Sequence, residues 1–323
     1  MKPQKKISHY LNEFIGPYRI IHEVGAGGLG RVYEAIEPKS GKHVALKVLH
    51  DHMTTNEKMM GVFHKELLIV SRLSHKNIVR FLDSNFSPPQ CYIITDFVNG
   101  YSGFELVKKF HRVPPLVALA IGFDLLQGLD HLHLHDTVHA DLSSANYLIG
   151  KDARILLTDF GLSATRFVEE YSNYVLGTPG YYSPEHITRQ PLRPNSDLYC
   201  LGLIIFELIT GTRLFHAKQP RQKTLLEMKR PKLHHIKFSS SRSLNQGIKK
   251  LLHACLQFSH HQRIQSCEQA LKICGRILLN HGIEFARLAV LQYLNERGED
   301  FGHLGDIQQN ICLGFVEEGK VQH

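Results

Sequence analysis

The sequence has no tryptophan, few cysteines and no long apolar run. None of its six cysteines forms a CxxC pair, and the count is low for a disulfide scaffold, so we expect reduced thiols packed in the interior. No stretch reaches the ~18 apolar residues of a membrane helix, and the best candidate, Leu201–Ile209, is short and contains Glu207. The first residues, MKPQKKISHYLNEF, lack the apolar centre of a secretory signal. These absences predict a cytoplasmic chain without a membrane span.

The composition is that of an ordinary globular protein. Hydrophobic residues make up 43% and charged residues 21% of the 323 positions, which excludes wholesale disorder. Lysine and arginine outnumber aspartate and glutamate by 38 to 30, a net charge of +8 that permits acidic partners or nucleic acid without indicating either. We expect no nucleic-acid partner.

The hydrophobic pattern changes character along the chain. From Tyr18 to about Ile94, strand-like runs alternate with glycine-rich or polar turns, and one helix over 63–73 interrupts them. From about Leu116 onward, helical patterns dominate. A small β-rich part before a larger helical part predicts an α+β fold of two lobes.

Four glycines follow the first strand-like run, in Gly25-Ala-Gly27-Gly28-Leu-Gly30. Glycines at this spacing let backbone N–H groups approach phosphate oxygens, because no Cβ lies in the way. A dinucleotide-binding turn would continue directly into a helix, whereas RVYEAIE continues as a strand. No GK[ST] closes the glycines, which excludes a Walker phosphate loop. The glycines alone leave a phosphate-binding hairpin and a structural turn equally open.

A lysine follows in the strand-like run Val44-Ala45-Leu46-Lys47. In a strand beside a glycine-rich hairpin, such a lysine can reach phosphate oxygens if an acidic partner holds it. Glu66, in the middle of the helix predicted over 63–73, is the candidate partner. Taken in isolation, the two residues are better interpreted as solvated surface charges.

Two further motifs lie in the helical part. His139-Ala140-Asp141 is followed by Asn146, and Asp159 begins the segment DFG. The oxygen donors of Asn146 and Asp159 suit magnesium, a hard cation. In this order after the glycines and VALK, these motifs resemble the eukaryotic-type (Hanks-type) protein kinase family.

The resemblance extends over about residues 18–278. The segment GTPGYYSPE at 177–185 looks like the end of a kinase activation loop, in a form similar to serine/threonine kinases. Asp197 matches the aspartate that caps the central helix of the larger lobe. Arg263 falls where the family's arginine pairs with the glutamate of this segment, here Glu185.

The resemblance implies an ATP-dependent serine/threonine protein kinase that uses Mg²⁺ and acts on a protein substrate. Asp141 is implied as the catalytic base, Lys47 and Glu66 as further catalytic residues, and Asn146 and Asp159 as the metal ligands. The implied nucleotide contacts are Val24, Gly25, Gly27, Gly28, Gly30, Val32, Ala45, Lys47, Asp96, Val98 and Leu148.

Two departures from the family pattern keep other functions open. The arginine before the catalytic aspartate is Ala140, so the chain resembles a non-RD variant. The lysine that serine/threonine kinases place two residues after that aspartate is Ser143, and losing one such charge costs about 10²–10³ in rate. A pseudokinase that binds ATP and serves as an interaction scaffold, and a small-molecule kinase, are the alternatives. Compact kinases of this kind include ones delivered into a host cell.

The remaining features concern the basic and acidic stretches. Residues 218–237 hold seven lysines or arginines against one glutamate, which suits an acidic partner or a solvated loop. The histidines of HLHLH at 131–135 point in different directions on a helix, so we expect them to be solvated or to cap its end. The segment FARLAVLQYL is apolar around most of a helix and is expected to dock on the rest of the chain.

The implied domains are an N-terminal extension at 1–17, an N-lobe at 18–95, a C-lobe at 96–278 and an acidic, helical C-terminal extension at 279–323.

Overall fold

The chain contains two compact units. The computed structural model describes residues 13–26, 30–87, 90–160, 164–165, 177–219, 221–231, 233, 236–299 and 301. Residues up to His75, together with Val79–Val98, form a β-rich unit. Lys76–Ile78 and the chain from Asn99 onward form a helical unit. The α+β class predicted from the sequence is confirmed.

The β-rich unit is an antiparallel sheet in the order β1-β2-β3-β4-β6-β5. Alternation of side chains along each strand separates its two faces. Val44 and Leu46 point to one face and are buried in a core with Tyr33, Ala35 and Ile94. The strands are β1 (Phe14–Ile15), β2 (Tyr18–Ala26), β3 (Gly30–Glu37), β4 (Lys42–Leu49), β5 (Phe81–Asn85) and β6 (Tyr92–Asp96).

Two helices, α1 (Asp51–Thr54) and α2 (Glu57–Val70), follow β4. The helix predicted over 63–73 therefore begins six residues earlier and ends three residues earlier than the apolar spacing indicated. Phe63 is buried, as its place in the pattern predicts. Leu73 is also buried, but it lies beyond the helix, so its spacing reflected core packing rather than helix length.

The helical unit carries small strands and eight helices among its described residues. Strands β7, β9 and β10 form one sheet, and β8 pairs with β11. The strands are β7 (Gly100–Ser102), β8 (Thr137–Val138), β9 (Tyr147–Gly150), β10 (Ile155–Leu157) and β11 (Ala164–Thr165). The helices are α3 (Gly103–Phe110), α4 (Pro115–Leu134), α5 (Pro184–Thr188), α6 (Pro194–Thr210), α7 (Arg221–Lys229), α8 (Arg242–Cys255), α9 (Cys267–Leu279) and α10 (Ala286–Glu296).

Helix α4 is the most apolar long element of this unit. Of the described helices, it alone is long and apolar enough to cross a membrane by length and composition. The longest apolar run noted in the sequence, Leu201–Ile209, lies instead inside the buried helix α6. Most of the apolar stretch of α4 is buried, and α4 packs on α6, α9 and α10, which is typical of a core helix.

Helix α10 docks on α4, as its apolar pattern predicts. Val290, Leu291 and Leu294 are buried, and the Arg287 guanidinium donates to the Asp152 carbonyl at 2.7 Å. Beyond the helix, the Glu299 carboxylate lies 2.6 Å from the ammonium of Lys109 on α3. Residues 302–323 of the implied C-terminal extension lie outside the described residues.

A buried ion pair joins α5 to the segment after α8. The Arg263 guanidinium donates two hydrogen bonds to the Glu185 carboxylate, at 2.8 and 3.0 Å, so the predicted pairing is confirmed. Ser196 donates to the same carboxylate at 3.0 Å, and Arg263 also donates to the Asn195 carbonyl. Burial alone would raise the pKa of Glu185, but the hydrogen bonds and charge of Arg263 outweigh it and lower that pKa.

Truncating a buried leucine of α10 tests whether the docked helix stabilises the unit. We expect Leu291→Ala to lower the free energy of unfolding by about 2–5 kcal/mol, because it leaves a cavity at a fully buried position. Thermal and urea unfolding measure the change. The same substitution at Leu279, which is 62% exposed, is the control and should change little. Equal losses for the two variants would show that α10 does not pack on α4.

Removing the arginine of the buried pair should cost far more than breaking an exposed pair. Arg263→Met leaves the Glu185 carboxylate buried without its partner, so we expect a loss of about 3–5 kcal/mol at neutral pH. The deficit should shrink as the pH falls toward 4, because the buried, unpaired carboxyl of the variant takes up a proton, whereas the lowered pKa keeps Glu185 charged in the folded wild type. Denaturation between pH 4 and 8 measures it. Lys272→Met, which breaks the exposed Lys272–Glu268 pair, is the control and should have no measurable effect.

Candidate active site

One face of the sheet in the β-rich unit carries three residues singled out by sequence, Val32, Ala45 and Lys47. Val32 on β3 lies opposite Lys47 on β4, and Ala45 lies opposite Thr95 on β6. These side chains alternate with the core residues of the same strands, so they share the other face of the sheet. Glu66 of α2, only 4% exposed, holds the ammonium of Lys47 at 2.6 and 2.9 Å. The expected Lys47–Glu66 pair is therefore present.

The glycine-rich turn is described at its two ends. Gly25 on β2 pairs with Val32, and the neighbouring Val24 is 53% exposed. A Cβ at Gly30 would come within 2.0 Å of the Val48 carbonyl oxygen, so close strand packing alone requires a glycine there. Gly27 and Gly28 lie outside the described residues. Close packing of the strands thus explains the glycine at position 30, in addition to the phosphate-binding role that the resemblance implies.

The Asp96 side chain at the end of β6 belongs to a surface ion-pair network. Its carboxylate lies 2.6 Å from the Lys42 ammonium and 2.8 Å from Arg80 Nε. Burial alone would raise the pKa of Asp96, but the hydrogen bonds and charges of Arg80 and Lys42 outweigh it and lower that pKa. The Asp96 N–H donates to the Arg80 carbonyl at 2.9 Å, so this N–H is not available to a nucleotide. Val98 lies two residues further along and is half-buried.

In the helical unit, the carboxylate of Asp141 lies against the amide of Asn146, from the same segment 139–146, and against the hydroxyl of Thr178, from a later segment. The Asn146 amide nitrogen donates to Asp141 Oδ2 at 3.0 Å and to the Asp141 carbonyl at 2.8 Å. The Thr178 hydroxyl donates to Asp141 Oδ1 at 2.7 Å. Strands β8 and β9 lie on either side of this segment, and Leu148 is half-buried on β9. Sequence analysis did not assign Thr178, although it lies inside the GTPGYYSPE motif.

A second carboxylate, Asp159, lies close enough to influence Asp141. Burial raises the pKa of Asp141, and the negative charge of Asp159 raises it further, against the hydrogen bonds of Thr178 and Asn146. The Thr158 N–H donates to the Asn146 carbonyl, which places Asp159 beside Asn146. Because Asn146 uses its amide nitrogen for Asp141, it has an amide oxygen to offer a cation. Two carboxylates and an amide oxygen fit a hard divalent cation such as Mg²⁺.

The carboxylate of Asp197 on α6 holds the residues before Asp141. Its Oδ2 accepts the His139 N–H at 2.9 Å, and its Oδ1 accepts the Ala140 N–H at 3.0 Å. The interpretation that Asp197 caps its own helix is therefore wrong. The hydroxyl of Ser196 instead accepts the Arg193 N–H at the start of α6.

His133, treated as a solvated helix-end residue in the sequence, is a second partner of Asp197. Its Nε2 lies 2.8 Å from Asp197 Oδ2, and its side chain is 10% exposed. That interpretation is wrong for His133, because α4 packs on α6 through this face. The sequence contained one indication of this contact: His133 follows the buried residues Leu126 and Leu129 at helical spacing, so its side chain lies on the buried face of α4.

Ser143, where the family pattern has a lysine, is fully buried. Its hydroxyl accepts the Ala145 N–H at 3.3 Å, so the position supplies a local hydrogen bond and no charge. The residues predicted to act on ATP thus include an ion pair in the β-rich unit, Lys47–Glu66, and a carboxylate–amide pair in the helical unit, Asp141–Asn146, which Thr178 extends with a hydroxyl.

The chain is similar to many serine/threonine kinases. The family model of the protein kinase domain matches residues 18–273. A probable serine/threonine-protein kinase of Clostridium perfringens is 31% identical over 205 residues, 63% of this chain and 30% of that protein. A serine/threonine-protein kinase of Myxococcus xanthus is 31% identical over 226 residues, 67% of this chain and 32% of that protein. The cAMP-dependent protein kinase type 3 of Saccharomyces cerevisiae is 28% identical over 202 residues, 62% of this chain and 50% of that protein.

The chain aligns with only part of these relatives, since the aligned part covers 30% to 50% of the three proteins. Within this chain the family match runs from the first long strand to α9 and includes the Lys47–Glu66 pair, the segment 139–146 and the Glu185–Arg263 pair. Because the family model covers well over half of the sequence, the chain belongs to the protein kinase domain family.

Proposed function

We propose that this chain transfers the γ-phosphoryl group of ATP to serine or threonine hydroxyls of proteins. The observation that carries the proposal is the hydroxyl of Thr178 donating to Asp141 Oδ1 at 2.7 Å. A short aliphatic hydroxyl thus fits against the carboxylate that the family pattern assigns as catalytic base. An acceptor serine or threonine would present the same chemical group to the same carboxylate.

Asp141 is the proposed base. As the acceptor oxygen forms its bond to the γ-phosphorus, the bond from that phosphorus to the β–γ bridging oxygen breaks, and the hydroxyl proton passes to the Asp141 carboxylate. The donors Asn146 and Thr178 fix the two carboxylate oxygens before the reaction. A base held in this way loses little entropy on reaching the reactive geometry.

The proposed nucleotide contacts begin with Lys47. Its ammonium would hold the α- and β-phosphates, and Glu66 keeps that ammonium in place. Val32 and Ala45 share the face of Lys47 and would contact the adenine, as would Leu148. The remaining proposed contacts are Val24, Gly25, Gly27, Gly28, Gly30, Asp96 and Val98.

Asn146 and Asp159 are the proposed ligands of Mg²⁺. A bound magnesium ion would neutralise phosphate charge during the transfer. The residues themselves contribute an amide oxygen and a carboxylate beside Asp141. A divalent cation there would also offset the like charge that raises the pKa of Asp141.

A protein substrate is favoured by the groove that begins directly after Thr178. It has a volume of about 230 Å³ and is lined by Pro179, Tyr182, Ile187, Phe215 and Met228, among others. These residues come from the GTPGYYSPE segment, from α5, from the chain between α6 and α7, and from α7. An extended chain whose hydroxyl lies at Asp141 would have a groove of mixed apolar and polar side chains to lie in, which a small alcohol does not need.

Transfer of labelled γ-phosphate from Mg-ATP to the protein itself and to a generic basic protein tests the proposal. We expect incorporation that falls at least about 100-fold in Asp141→Asn, which removes the base. Lys47→Met should abolish incorporation, because it removes the phosphate contact. Lys65→Met, an exposed lysine beside Glu66 on α2, is the matched control and should retain wild-type incorporation.

Three results would contradict the proposal. Binding of Mg-ATP without transfer would identify a pseudokinase, for which the buried Ser143 in place of the lysine provides the reason. Transfer to a small alcohol but to no protein would identify a small-molecule kinase. Phosphotyrosine as the sole product in mass spectra would leave the enzyme a kinase and overturn the serine/threonine assignment.

A further inference from the structure

Ala140, the residue before Asp141, adopts an unusual backbone conformation. Its φ is +66°, in the left-handed region, where a residue with a Cβ costs of order 1–2 kcal/mol. Such a conformation persists only where surrounding contacts hold it. One contact is already described: Asp197 accepts the Ala140 N–H at 3.0 Å. The carbonyl on the other side of Ala140 needs a partner of its own.

His186 of α5 supplies that partner. Its Nε2 lies 2.9 Å from the Ala140 carbonyl oxygen, and the residue is only 6% exposed. Its Nδ1 lies 3.1 Å from the Ser183 backbone nitrogen, which can only donate. Nδ1 is therefore the acceptor, Nε2 carries the proton, and the ring donates to Ala140.

The surroundings keep the ring neutral in this form. Burial lowers the pKa of His186, against the Ala140 carbonyl and the charges of Asp197, Glu185 and Asp141. Tyr182 stacks on the ring at 5.7 Å between ring centres. The Ser183 hydroxyl oxygen also lies 2.8 Å from Nδ1, so a charged ring would donate to that oxygen and would no longer accept the Ser183 N–H.

We infer that His186 is a positioning residue for Asp141, fixing the catalytic carboxylate by donating from Nε2 to the Ala140 carbonyl. The Ala140 carbonyl and the Asp141 nitrogen belong to the same planar peptide group. The direction of this carbonyl therefore fixes the orientation of the peptide to which the Asp141 Cα is attached. Asp197 and His186 hold the two peptides of Ala140 from α6 and α5. The catalytic role rests on the proposed function, whereas the contact itself does not.

Two amide substitutions separate the contacts of the ring. In His186→Gln, the side-chain nitrogen reaches the position of Nε2 and can still donate to the Ala140 carbonyl. In His186→Asn, the shorter amide reaches only the position of Nδ1, so it can accept the Ser183 N–H but leaves the carbonyl without a donor. Thr188→Val is the control, because it removes a hydrogen bond of the same helix, to Pro184, that does not touch the catalytic segment.

Two measurements are made on the full chain: kcat and KM for ATP, and hydrogen–deuterium exchange of the backbone amides of residues 139–142. We expect His186→Asn to lower kcat about 10- to 100-fold with KM for ATP unchanged, and to speed exchange of these amides. His186→Gln should stay within about threefold of wild type in kcat and retain slow exchange. A general loss of stability would instead affect both variants, and the exchange of α6, alike.

Equal kcat and equal exchange in the Asn and Gln variants would overturn the inference. If the wild-type chain transfers no phosphate at all, the proposed function fails, and exchange alone decides the contact. Faster exchange in the Asn variant only would then retain the role of His186 in holding Ala140. Unchanged exchange in both variants would remove it.

Discussion

The carboxylate of Asp197 is the contact on which the proposed catalytic segment depends. It lies on α6, whose residues from Asn195 to Ile209 are all buried, so it cannot move with solvent-exposed loops. Burial alone would raise its pKa, but the hydrogen bond from His133 outweighs that effect and lowers it. A fixed, ionised carboxylate is the acceptor that two neighbouring backbone N–H groups require.

From this carboxylate, buried polar contacts extend in both directions. His133 connects it to α4, and the N–H groups of His139 and Ala140 connect it to the catalytic segment. The Ala140 carbonyl continues the connection to His186 on α5. The same helix is tied to Arg263 through Glu185. Each of these groups is buried and hydrogen-bonded, so removing one leaves another unsatisfied.

Part of the fold and of the candidate site could be predicted from local patterns in the sequence. The β-rich part followed by a helical part was predicted from the hydrophobic pattern, the Lys47–Glu66 pair from the positions of the two residues, and the Glu185–Arg263 pair from the resemblance of the motifs to the family. The catalytic and nucleotide-binding roles of these residues remain proposals. The docking of helix α10 was also recognisable, since its sequence is apolar around most of the helix.

Other features depend on contacts between segments far apart in the sequence, and these were missed. The contacts of His133 and His186 join residues 64 and 46 positions away, and nothing in their local pattern names the partner. Asp197 was given the wrong partner for the same reason: a carboxylate near a helix start suggests a cap, and only the fold shows the N–H groups that reach it first. Gly30 looked functional, whereas close packing against Val48 already requires a glycine.

Replacing Asp197 by asparagine tests the central role of this carboxylate most directly, because the amide keeps its shape and loses its charge. The measurement is hydrogen–deuterium exchange of residues 139–142 together with the rate of phosphate transfer from Mg-ATP. We predict that the substitution speeds exchange in this segment and leaves exchange in α6 nearly unchanged. We also predict a rate of phosphate transfer at least about 100-fold below wild type, since the NH₂ group would face a backbone donor. Wild-type exchange and a wild-type rate in Asp197→Asn would contradict the account.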